Sequence, residues 1–240
     1  MKNNILTPKY DHNGIFLRKI RSFVCRKGRI TTSQLNAIKR YWPLIGIDFC
    51  LEPLNFSSIF NSSDPVILEI GFGSGRSLVQ TAMNFPDKNF LGIEVYKSGI
   101  GSCLNLAYIY KLKNLKIIYY DAIEVINIMI LDHTLLTVQI FFPDPWNKKR
   151  HKKRRILQSD FLKVLAKKLI FNGILHIVTD SEEYAFYILD RINCIDDYEN
   201  LSKTNDFVIR PVSRIITDFE KKAHLRGDRV FDLMFQLKIS

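Results

Sequence analysis

The sequence predicts an α/β fold in which helices cover both faces of a mostly parallel sheet. From residue 66 onward, short apolar runs of strand length alternate with amphipathic segments of helix length. Parallel neighbours need crossover connections, which are usually helices, so this order favours a parallel sheet. Hydrophobic residues make up 47% of the 240 residues, enough to bury one large core. We therefore expect a Rossmann-like arrangement.

The individual elements follow from the period of the apolar residues and from the turn residues between them. Strands are predicted at residues 66–70, 89–95, 115–120, 138–142 and 173–178, with a closing edge strand at 230–237. Helices are predicted at residues 31–41, 77–84, 102–110, 160–169 and 182–192. Pro43 is expected just past the first helix, and residues 53–64 are expected to form a loop. Residues 1–50 are predicted to be a basic extension with one helix, and residues 51–240 the main domain.

Positive charge dominates the sequence and falls in two clusters. The formal net charge is +11 and the sequence pI is about 9.5. Residues 148–155, the basic run, carry seven positive charges in the order Lys-Lys-Arg-His-Lys-Lys-Arg-Arg. A second cluster near the N-terminus consists of Arg18, Lys19, Arg21, Arg26, Lys27 and Arg29. Clustering favours a polyanionic partner, either a nucleic acid or an anionic membrane surface, over a diffusely basic surface.

Composition disfavours several kinds of site and location. The cysteines are scattered without a Cys-x-x-Cys pair and the histidines lack metal-ligand spacing, so neither a disulfide framework nor a metal site is expected. The longest apolar region, residues 122–142, is interrupted by charged residues, and no membrane span is expected. The polar N-terminus has no signal-peptide core. A cytoplasmic protein is therefore expected.

Four acidic residues fall at or near the carboxyl ends of predicted strands, where open parallel sheets bind their ligands. They are Glu69, Glu94, Asp121 and Asp144. A carboxylate after the second strand can accept both hydroxyls of a ribose, and one after the third strand can accept from an adenine amino group. Four acids in this order favour a nucleoside site over four unrelated loop acids.

The turn after the first of these strands contains Gly71, Gly73 and Gly75. Glycines there let the backbone approach a ligand closely. A dinucleotide enzyme prefers Gly-x-Gly-x-x-Gly, so the third glycine comes one residue early. The charge of Glu69, two residues before the first glycine, would repel a pyrophosphate and attract a cation. S-adenosylmethionine, which has a sulfonium, an ammonium and no phosphate, is therefore favoured over NAD.

The fourth strand runs into a turn in which two prolines flank Asp144. A carboxylate there can accept hydrogen bonds from the Watson–Crick edge of guanine, while Phe142 or Trp146 can stack on the base. The alternatives are that Asp144 only caps the turn and that Trp146 is a core aromatic. The basic run follows directly, and phosphate contacts position a nucleic acid whereas base contacts specify it. This adjacency favours modification of a base in a folded RNA.

Three segments resemble the bacterial tRNA (guanine-N7-)-methyltransferases, and the resemblance runs from about residue 20 to residue 235. They are Leu-Glu-Ile-Gly-Phe-Gly-x-Gly at 68–75, Gly-Ile-Glu-Val at 92–95, and Phe-Pro-Asp-Pro-Trp-x-Lys-Lys-Arg-His-x-Lys-Arg-Arg at 142–155. Supporting matches include Ile-Arg-Ser-Phe-Val at 20–24, Thr-Asp at 179–180 and Thr-x-Phe-Glu at 217–220. The resemblance implies a class I S-adenosylmethionine-dependent methyltransferase, with residues 51–240 as the methyltransferase domain.

The resemblance also implies an activity, methyl transfer from S-adenosylmethionine to N7 of the guanine at position 46 in the variable loop of tRNA. Cofactor contacts are expected at Glu69, Gly71, Gly73, Glu94, Asp121 and Asp144, and Asp144 also matches the catalytic residue. Substrate contacts are implied for Lys148, Asp180, Thr217, Asp218, Phe219 and Glu220. RNA contacts are implied for Arg150, His151, Lys152, Lys153, Arg154 and Arg155. Asp218 departs from the family, which usually has a basic residue there.

N7 of guanine has a lone pair in the ring plane and no proton, so this reaction needs no general base. Catalysis is expected to rest on alignment of N7 with the sulfonium methyl and on stabilisation of the cationic product. Two other functions remain open: methylation of another RNA base nitrogen, and RNA binding without catalysis on a methyltransferase fold. The intact glycine turn and the four strand-end acids argue against the second.

Overall fold

Eight strands form one sheet in the computed structural model, which describes residues 20–24, 29–204 and 206–238. The strands are Gly46–Ile47 (β1), Val66–Ile70 (β2), Asn89–Glu94 (β3), Leu115–Tyr119 (β4), Leu135–Phe141 (β5), Leu169–Thr179 (β6), Tyr198–Asn200 (β7) and Phe231–Leu237 (β8). The α-helices are Thr32–Ile45 (α1), Phe56–Phe60 (α2), Arg76–Asn84 (α3), Lys97–Ile109 (α4), Ala122–Ile128 (α5), Ser159–Lys168 (α6), Glu182–Ile192 (α7) and Asp218–Arg226 (α8). Four members of the N-terminal basic cluster lie outside the described residues: Arg18, Lys19, Arg26 and Lys27.

The strand order brings the carboxyl ends of β2, β3 and β5 side by side. The order is β1-β4-β3-β2-β5-β6-β8-β7. Pairings among β1 to β6 are parallel, and β8 runs antiparallel to both β6 and β7. The chain moves outward from β2 to β4 and then crosses back to β5, so the β2–β5 boundary is a topological switch point, where such sheets bind ligands. The predicted mostly parallel α/β fold is confirmed.

Two hydrophobic clusters lie on opposite faces of the sheet. Successive residues of β2 alternate between them, because Leu68 and Ile70 pack in one cluster and Ile67 packs in the other. Helices α5, α6 and α7 contribute buried residues to the first cluster, and α1, α3 and α4 to the second. Since both faces are covered, β2 is buried at every position, including Glu69.

The first helix and the segment after it differ from the sequence prediction. Helix α1 continues to Ile45, so Pro43 lies inside it instead of just past its end. Pro43 is in the last turn, where its ring removes one helical hydrogen bond, and the buried Trp42 and Ile45 keep that turn packed. The loop expected at residues 53–64 contains α2, which begins because the Asn55 side chain accepts from the Ser58 N–H.

The closing strand is not an edge strand, contrary to the prediction. Strand β8 lies between β6 and β7, because residues 198–200 pair with its outer side. A three-residue strand is too short to show a period in the sequence. Helix α4 begins at Lys97 instead of residue 102. The prediction started too late because Gly99 and Gly101 are poor helix formers. Helices α5 and α8 were not predicted.

Residues before 51 contribute to the same layers as the rest of the chain. Strand β1 pairs with β4, and α1 packs against α4. A Cβ at Gly101 would lie 2.6 Å from the carbonyl oxygen of Gln34, so these helices approach at backbone distance. The division of the chain at residue 50 stays a prediction. None of the helices in the described part of the chain has the length and apolar character that a membrane crossing needs.

Candidate active site

A cavity of about 490 Å³ opens at the carboxyl ends of β2, β3 and β5. Of the predicted site residues, its lining includes Gly71, Gly73, Glu94, Asp144 and Phe219. Glu69 and Asp121 are buried behind the wall, next to lining residues in the chain. A larger opening of about 780 Å³ lies beside α1 and α4, and none of the described residues that line it is acidic. The cavity at the strand ends is therefore the candidate site.

The glycine turn between β2 and α3 leaves open space above its backbone. Gly71 and Gly73 have φ values of +76° and +58°, in the left-handed region that favours glycine. Among the residues that the structure describes, apart from its chain neighbours, none has an atom within 4 Å of the place where a Cβ on Gly71 would be. A Cβ on Gly73 would lie 3.8 Å from an atom of the Phe219 ring. A ligand can therefore approach this backbone from the cavity.

Glu94 ends β3 and fixes the glycine turn. Its Oε2 accepts from the Gly73 N–H at 2.8 Å, and its Oε1 accepts from the N–H groups of Val95 at 2.6 Å and Tyr96 at 2.9 Å. Burial raises the pKa of Glu94 above its ordinary value; the three backbone hydrogen bonds oppose this rise, and Asp144 adds to it. Because Oε2 has accepted one hydrogen bond, it keeps a lone pair for a ligand hydroxyl.

Glu69 is a buried acid beside a second acid. Burial, and to a lesser extent Glu94, raises the pKa of Glu69 to about 8. None of the ion pairs found among the described residues includes Glu69. A cation entering the cavity would favour the ionised carboxylate. The pair of acids therefore fits a cationic nucleoside ligand and disfavours a pyrophosphate. No group of three metal-ligating side chains lies close enough together to hold a metal ion in the described part of the chain.

Asp121 caps α5 and pairs with an arginine from the N-terminal segment. Its Oδ1 accepts from the Ile123 N–H at 3.0 Å, and its Oδ2 accepts from Arg21 Nη1 at 2.5 Å. The same Arg21 nitrogen donates to Oε1 of Glu124 at 2.7 Å. The acid expected to face an adenine amino group therefore has a cationic partner that the sequence did not predict.

The turn after β5 presents Asp144 at the rim of the cavity. Phe142 and Trp146, at the two ends of this turn, have φ values of +51° and +46°, which are uncommon for residues with side chains. The Phe142 N–H donates to the Val178 carbonyl at 2.7 Å, which ties the turn to β6. At the other end, Arg155 Nε donates to the Pro145 carbonyl at 2.7 Å. The turn is thus anchored on both sides while Asp144 is exposed.

The beginning of α8 closes the opposite side of the cavity mouth. The rings of Phe142 and Phe219 have centroids 6.1 Å apart and planes 19° from parallel. Ser74 Oγ donates to Asp218 Oδ2 at 3.3 Å, and Arg76 lies 3.7 Å from the same oxygen. Helix α8 therefore contacts the glycine turn through Asp218 while Phe219 remains 58% exposed.

Two residues that the resemblance assigned to substrate contact are buried. Thr217 caps α8 by accepting from the Glu220 N–H at 3.1 Å. Glu220 is 1% exposed and accepts from both Nη atoms of Arg214, at 2.6 and 2.8 Å. Arg214 Nη2 also donates to Asp232 at 3.0 Å. In this structure Thr217 and Glu220 anchor α8, and Asp218 and Phe219 are the members of the segment that reach the mouth.

The basic run forms a 3-10 helix, Lys149–Arg154, next to the Asp144 turn. Four of its charged side chains belong to exposed residues: Lys148, Lys149, Arg150 and Lys153. Lys152 pairs with Glu183 at 2.6 Å, and His151 packs edge-on against Trp146. Asp180, at the end of β6, pairs with Arg226 at 2.9 Å. The four exposed residues of the run therefore offer positive charge to a partner in solution.

The last two arginines of the run face the protein. The Arg155 side chain is 0% exposed; its Nη2 donates to Glu183 at 3.0 Å, and its guanidinium lies over the rings of Tyr184 and Tyr187. Arg155 therefore does not fit the RNA contact expected for it, because a buried guanidinium cannot reach a phosphate. Arg154 lies over the Trp146 ring, 4.2 Å from its centroid, and donates to backbone carbonyls of residues 21 and 23.

Comparison with known proteins identifies the family. A family described as putative methyltransferase matches residues 63–233. The tRNA (guanine-N(7)-)-methyltransferase of Buchnera aphidicola subsp. Acyrthosiphon pisum (strain Tuc7) is 71% identical over 238 residues, which cover 99% of this chain and 100% of that protein. The protein of the same name from Escherichia coli (strain UTI89 / UPEC) is 49% identical over 98% of this chain and 99% of its own length. The chain belongs to the tRNA (guanine-N7-)-methyltransferase family.

Solved structures of other methyltransferases share the fold of this family member. The 16S rRNA methyltransferase KamB superposes with a TM-score of 0.56 at 15% identity, covering 77% of this chain and 93% of KamB. A 16S rRNA (adenine(1408)-N(1))-methyltransferase variant from Catenulisporales acidiphilia, solved with the cosubstrate SAM, gives 0.54 at 14% identity, over 80% of this chain and 93% of that one. At these identities the likeness shows the fold alone, and it confirms the predicted Rossmann-like methyltransferase class.

Three residues near the site of this methyltransferase were missed by sequence reasoning. Arg21 lies 100 residues from Asp121 in the chain, so no short-range pattern links it to the acids it pairs with. Glu124 looked like an interruption of an apolar region, although it is 6% exposed and paired with Arg21. Nothing in the sequence marks Arg214 as the partner of Glu220. The resemblance to the family at residues 20–24 includes Arg21, but it implied no role for this residue.

Proposed function

We propose that this protein transfers a methyl group from S-adenosyl-L-methionine to N7 of a guanine in tRNA, at position 46 of the variable loop. The observation that carries the proposal is the cavity bordered by Glu94 and Asp144, which opens next to the exposed part of the basic run. Full-length relatives named tRNA (guanine-N(7)-)-methyltransferase support the reaction. The position within tRNA rests on the resemblance of residues 142–155 to the family.

The cofactor is expected to lie along the strand ends, over the glycine turn. S-adenosylmethionine supplies an electrophilic methyl group on a sulfonium. Glu94 accepts a ribose hydroxyl through the lone pair left on Oε2, and Gly71 and Gly73 leave room for close approach. Glu69 supplies negative charge near the cationic end of the ligand, and Asp121 accepts from the adenine amino group with its remaining lone pairs.

The target guanine is expected to enter between the Asp144 turn and the beginning of α8. Asp144 accepts from the N1–H and the exocyclic amine, which orients the ring so that N7 points at the methyl donor. Phe142 and Phe219 supply the stacking surfaces at the mouth. Trp146 is a weaker candidate for stacking, because its Nε1 donates to the Ser22 carbonyl and its ring face is covered by Arg154.

Phosphates of the tRNA are expected to contact the exposed part of the basic run. Base contacts then specify the guanine, and phosphate contacts place it at the cavity. Lys148, Lys149, Arg150 and Lys153 are exposed on the same short segment. His151 and Lys152 belong to the same run and are proposed as further contacts to the tRNA. Asp180, directly after β6, and Asp218, at the beginning of α8, are proposed as further contacts to the tRNA as well. A tRNA substrate also supports a cytoplasmic location.

Catalysis in this proposal rests on alignment and charge. N7 carries a lone pair and no proton, so Asp144 is proposed to orient the base and is not required to remove a proton. Methylation places a positive charge on the imidazole part of guanine. Asp144 and Glu94, which line the same cavity, are proposed to stabilise that charge.

The proposal is tested by incubating the protein with S-adenosylmethionine carrying a tritiated methyl group and an unmodified tRNA transcript, followed by nucleoside analysis. The expected product is 7-methylguanosine, and a transcript with adenosine at position 46 should accept no label. Label in a different nucleoside would support the alternative of another RNA base nitrogen. Binding of tRNA without any transfer would support the non-catalytic alternative.

A further inference from the structure

Residues 20–24, which we call the strap, form part of the cavity wall although they lie in the N-terminal segment, far in sequence from the other lining residues. Ser22, Phe23 and Val24 line the cavity together with Glu94 and Asp144. Phe23 also packs against the larger hydrophobic cluster. The strap therefore covers one side of the pocket in which the cofactor is proposed to bind.

Side chains of the Asp144 turn and of the basic run fasten the backbone of the strap. Trp146 Nε1 donates to the Ser22 carbonyl at 3.1 Å. Arg154 Nε donates to the Arg21 carbonyl at 3.0 Å, and Arg154 Nη2 donates to the Phe23 carbonyl at 2.9 Å. The Arg154 guanidinium also lies over the Trp146 ring, so the two fastening side chains support each other.

A third connection joins the strap to two buried acids at the beginning of α5, behind the wall of the pocket. Arg21 bridges Asp121 and Glu124, whose side chains are 3% and 7% exposed. Burial by itself lowers the pKa of Arg21, but the hydrogen bonds to the two carboxylates outweigh it and the pKa is raised. Removing Arg21 would leave two buried carboxylates without this cation, which is costly. The strap is thus held at its backbone from one side and at its side chain from the other.

We infer that Arg154 and Trp146 are positioning residues that fasten residues 20–24 as a wall of the cofactor pocket. Arg154, near the end of the basic run, therefore supports the cofactor pocket, whereas the exposed members of the run contact the tRNA. The identity of the ligand rests on the proposed function, whereas the fastening of the strap does not. Because Arg154 belongs to the same 3-10 helix as the exposed lysines, the strap also connects the tRNA surface to the pocket.

The first test compares Arg154→Met with Lys153→Met, since the two variants lose the same charge from adjacent positions and Lys153 is exposed. Affinity for S-adenosylmethionine is measured by calorimetry without tRNA, and tRNA affinity is measured over a range of salt concentrations. Arg154→Met should weaken cofactor binding about tenfold, equal to about 1.4 kcal/mol, and leave the salt dependence unchanged. Lys153→Met should leave cofactor affinity unchanged and lower the salt slope by roughly 0.7 to 0.9.

Two further variants separate positioning from general support of the fold. Arg154→Lys should not restore cofactor affinity, because one ammonium cannot reproduce the two hydrogen bonds to the strap. Trp146→Phe removes the bond to Ser22 and should weaken cofactor binding by a smaller factor. In both variants the KM for the cofactor should rise while kcat at saturating cofactor stays close to that of the unmodified protein. If Arg154→Met instead lowered the salt slope and left cofactor affinity unchanged, Arg154 would be a phosphate contact and the inference would be overturned.

Proteolysis tests the strap in the absence of any ligand. A failure of this inference can therefore be distinguished from a failure of the proposed function. The Arg21 side chain is 15% exposed and paired, so trypsin can cleave after it only when the strap opens. Cleavage after Arg21 should be severalfold faster in Arg154→Met than in Lys153→Met, as followed by mass spectrometry. Equal cleavage rates would show that Arg154 does not hold the strap, whatever ligand the pocket binds.

Discussion

The acidic end of the sheet and the basic 3-10 helix lie side by side at the cavity mouth, but their charges are held differently. Glu69, Glu94 and Asp121 are buried at the ends of strands, and hydrogen bonds fix the last two. In the basic run most charges lie at the surface, whereas the side chains of Arg154 and Arg155 donate to backbone carbonyls.

This difference separates two uses of charge. A buried carboxylate acts through its position, since in a poorly solvated site a small displacement changes its interactions strongly. Exposed lysines and arginines act mainly through their number, because water and salt screen each of them. Single substitutions should therefore have large effects at the strand ends and small effects along the exposed run. Asp144 and Arg155 test this comparison most directly, because each differs from the other members of its group. Asp144 is an exposed acid and Arg155 is a buried basic residue.

The largest effect is expected for Asp144→Ala. The rate of methyl transfer should fall about 100-fold, or about 2.7 kcal/mol, because one carboxylate both orients the base and faces the developing charge. Stability should be unchanged, since Asp144 is exposed. Asn147→Ala, in the same exposed segment, is the matched control for single-turnover measurements. A rate above about a tenth of the original, a loss below ~1.4 kcal/mol, would show that Asp144 is not central.

A smaller effect, on stability, is expected for Arg155→Met. The free energy of unfolding should fall by about 2 kcal/mol, because the buried guanidinium donates to Pro145 and Glu183. Arg150→Met, which removes an exposed charge from the same run, should change stability by less than about 0.5 kcal/mol. Denaturant unfolding of both variants measures the difference. Equal stabilities, together with a reduced salt slope for tRNA binding in Arg155→Met, would return Arg155 to the RNA surface.

The pH dependence of stability should report the buried carboxyl of Glu69. Its pKa in the fold, about 8, lies above the ordinary value of 4.5, so the folded protein binds the proton more tightly than the unfolded chain does. Stability without ligand should therefore fall as pH rises between these values, by up to about 1.4 kcal/mol per pH unit from this group. Glu69→Gln should remove this part of the slope. Identical pH profiles for the two proteins would mean that Glu69 is ionised in the fold.

The smallest effect per residue is expected along the exposed run. Replacing Lys148, Lys149, Arg150 and Lys153 by Gln should weaken tRNA binding and reduce the slope of log affinity against log salt by roughly 0.7 to 0.9 for each lost phosphate contact. Cofactor affinity should not change. Lys163→Gln, an exposed lysine on α6, is the control.

The sequence also predicts phosphate contacts for the other members of the N-terminal basic cluster: Arg18, Lys19, Arg26, Lys27 and Arg29. The exposed part of the run, these five residues, and both sets together should therefore be neutralised in separate proteins, each of which keeps Arg21. An unchanged slope in the combined variant would contradict the electrostatic argument for RNA binding. A drop only in the combined variant would show that the two surfaces substitute for each other.

The sequence by itself determined the α/β class, five of the central strands and the acidic ends of those strands. Strands buried on both faces must be apolar along most of their length, and that requirement is readable without a structure. The other elements were missed or misplaced because the local pattern of residues does not show where they begin and end. Strand β7 was missed because it has only three residues. Helix α1 was predicted to be too short because it continues past Pro43 only through the tertiary packing of Trp42 and Ile45.

Tertiary structure alone decided which charges face the ligand and which face the protein. In the sequence, Arg154 and Arg155 are equivalent to the residues before them, and Glu220 is equivalent to Asp218. In the fold, Arg155 is buried under the Pro145 turn and Glu220 is buried against Arg214. These pairings depend on partners that folding brings near and on the direction in which a helix points its side chains. The local pattern of residues shows neither of these.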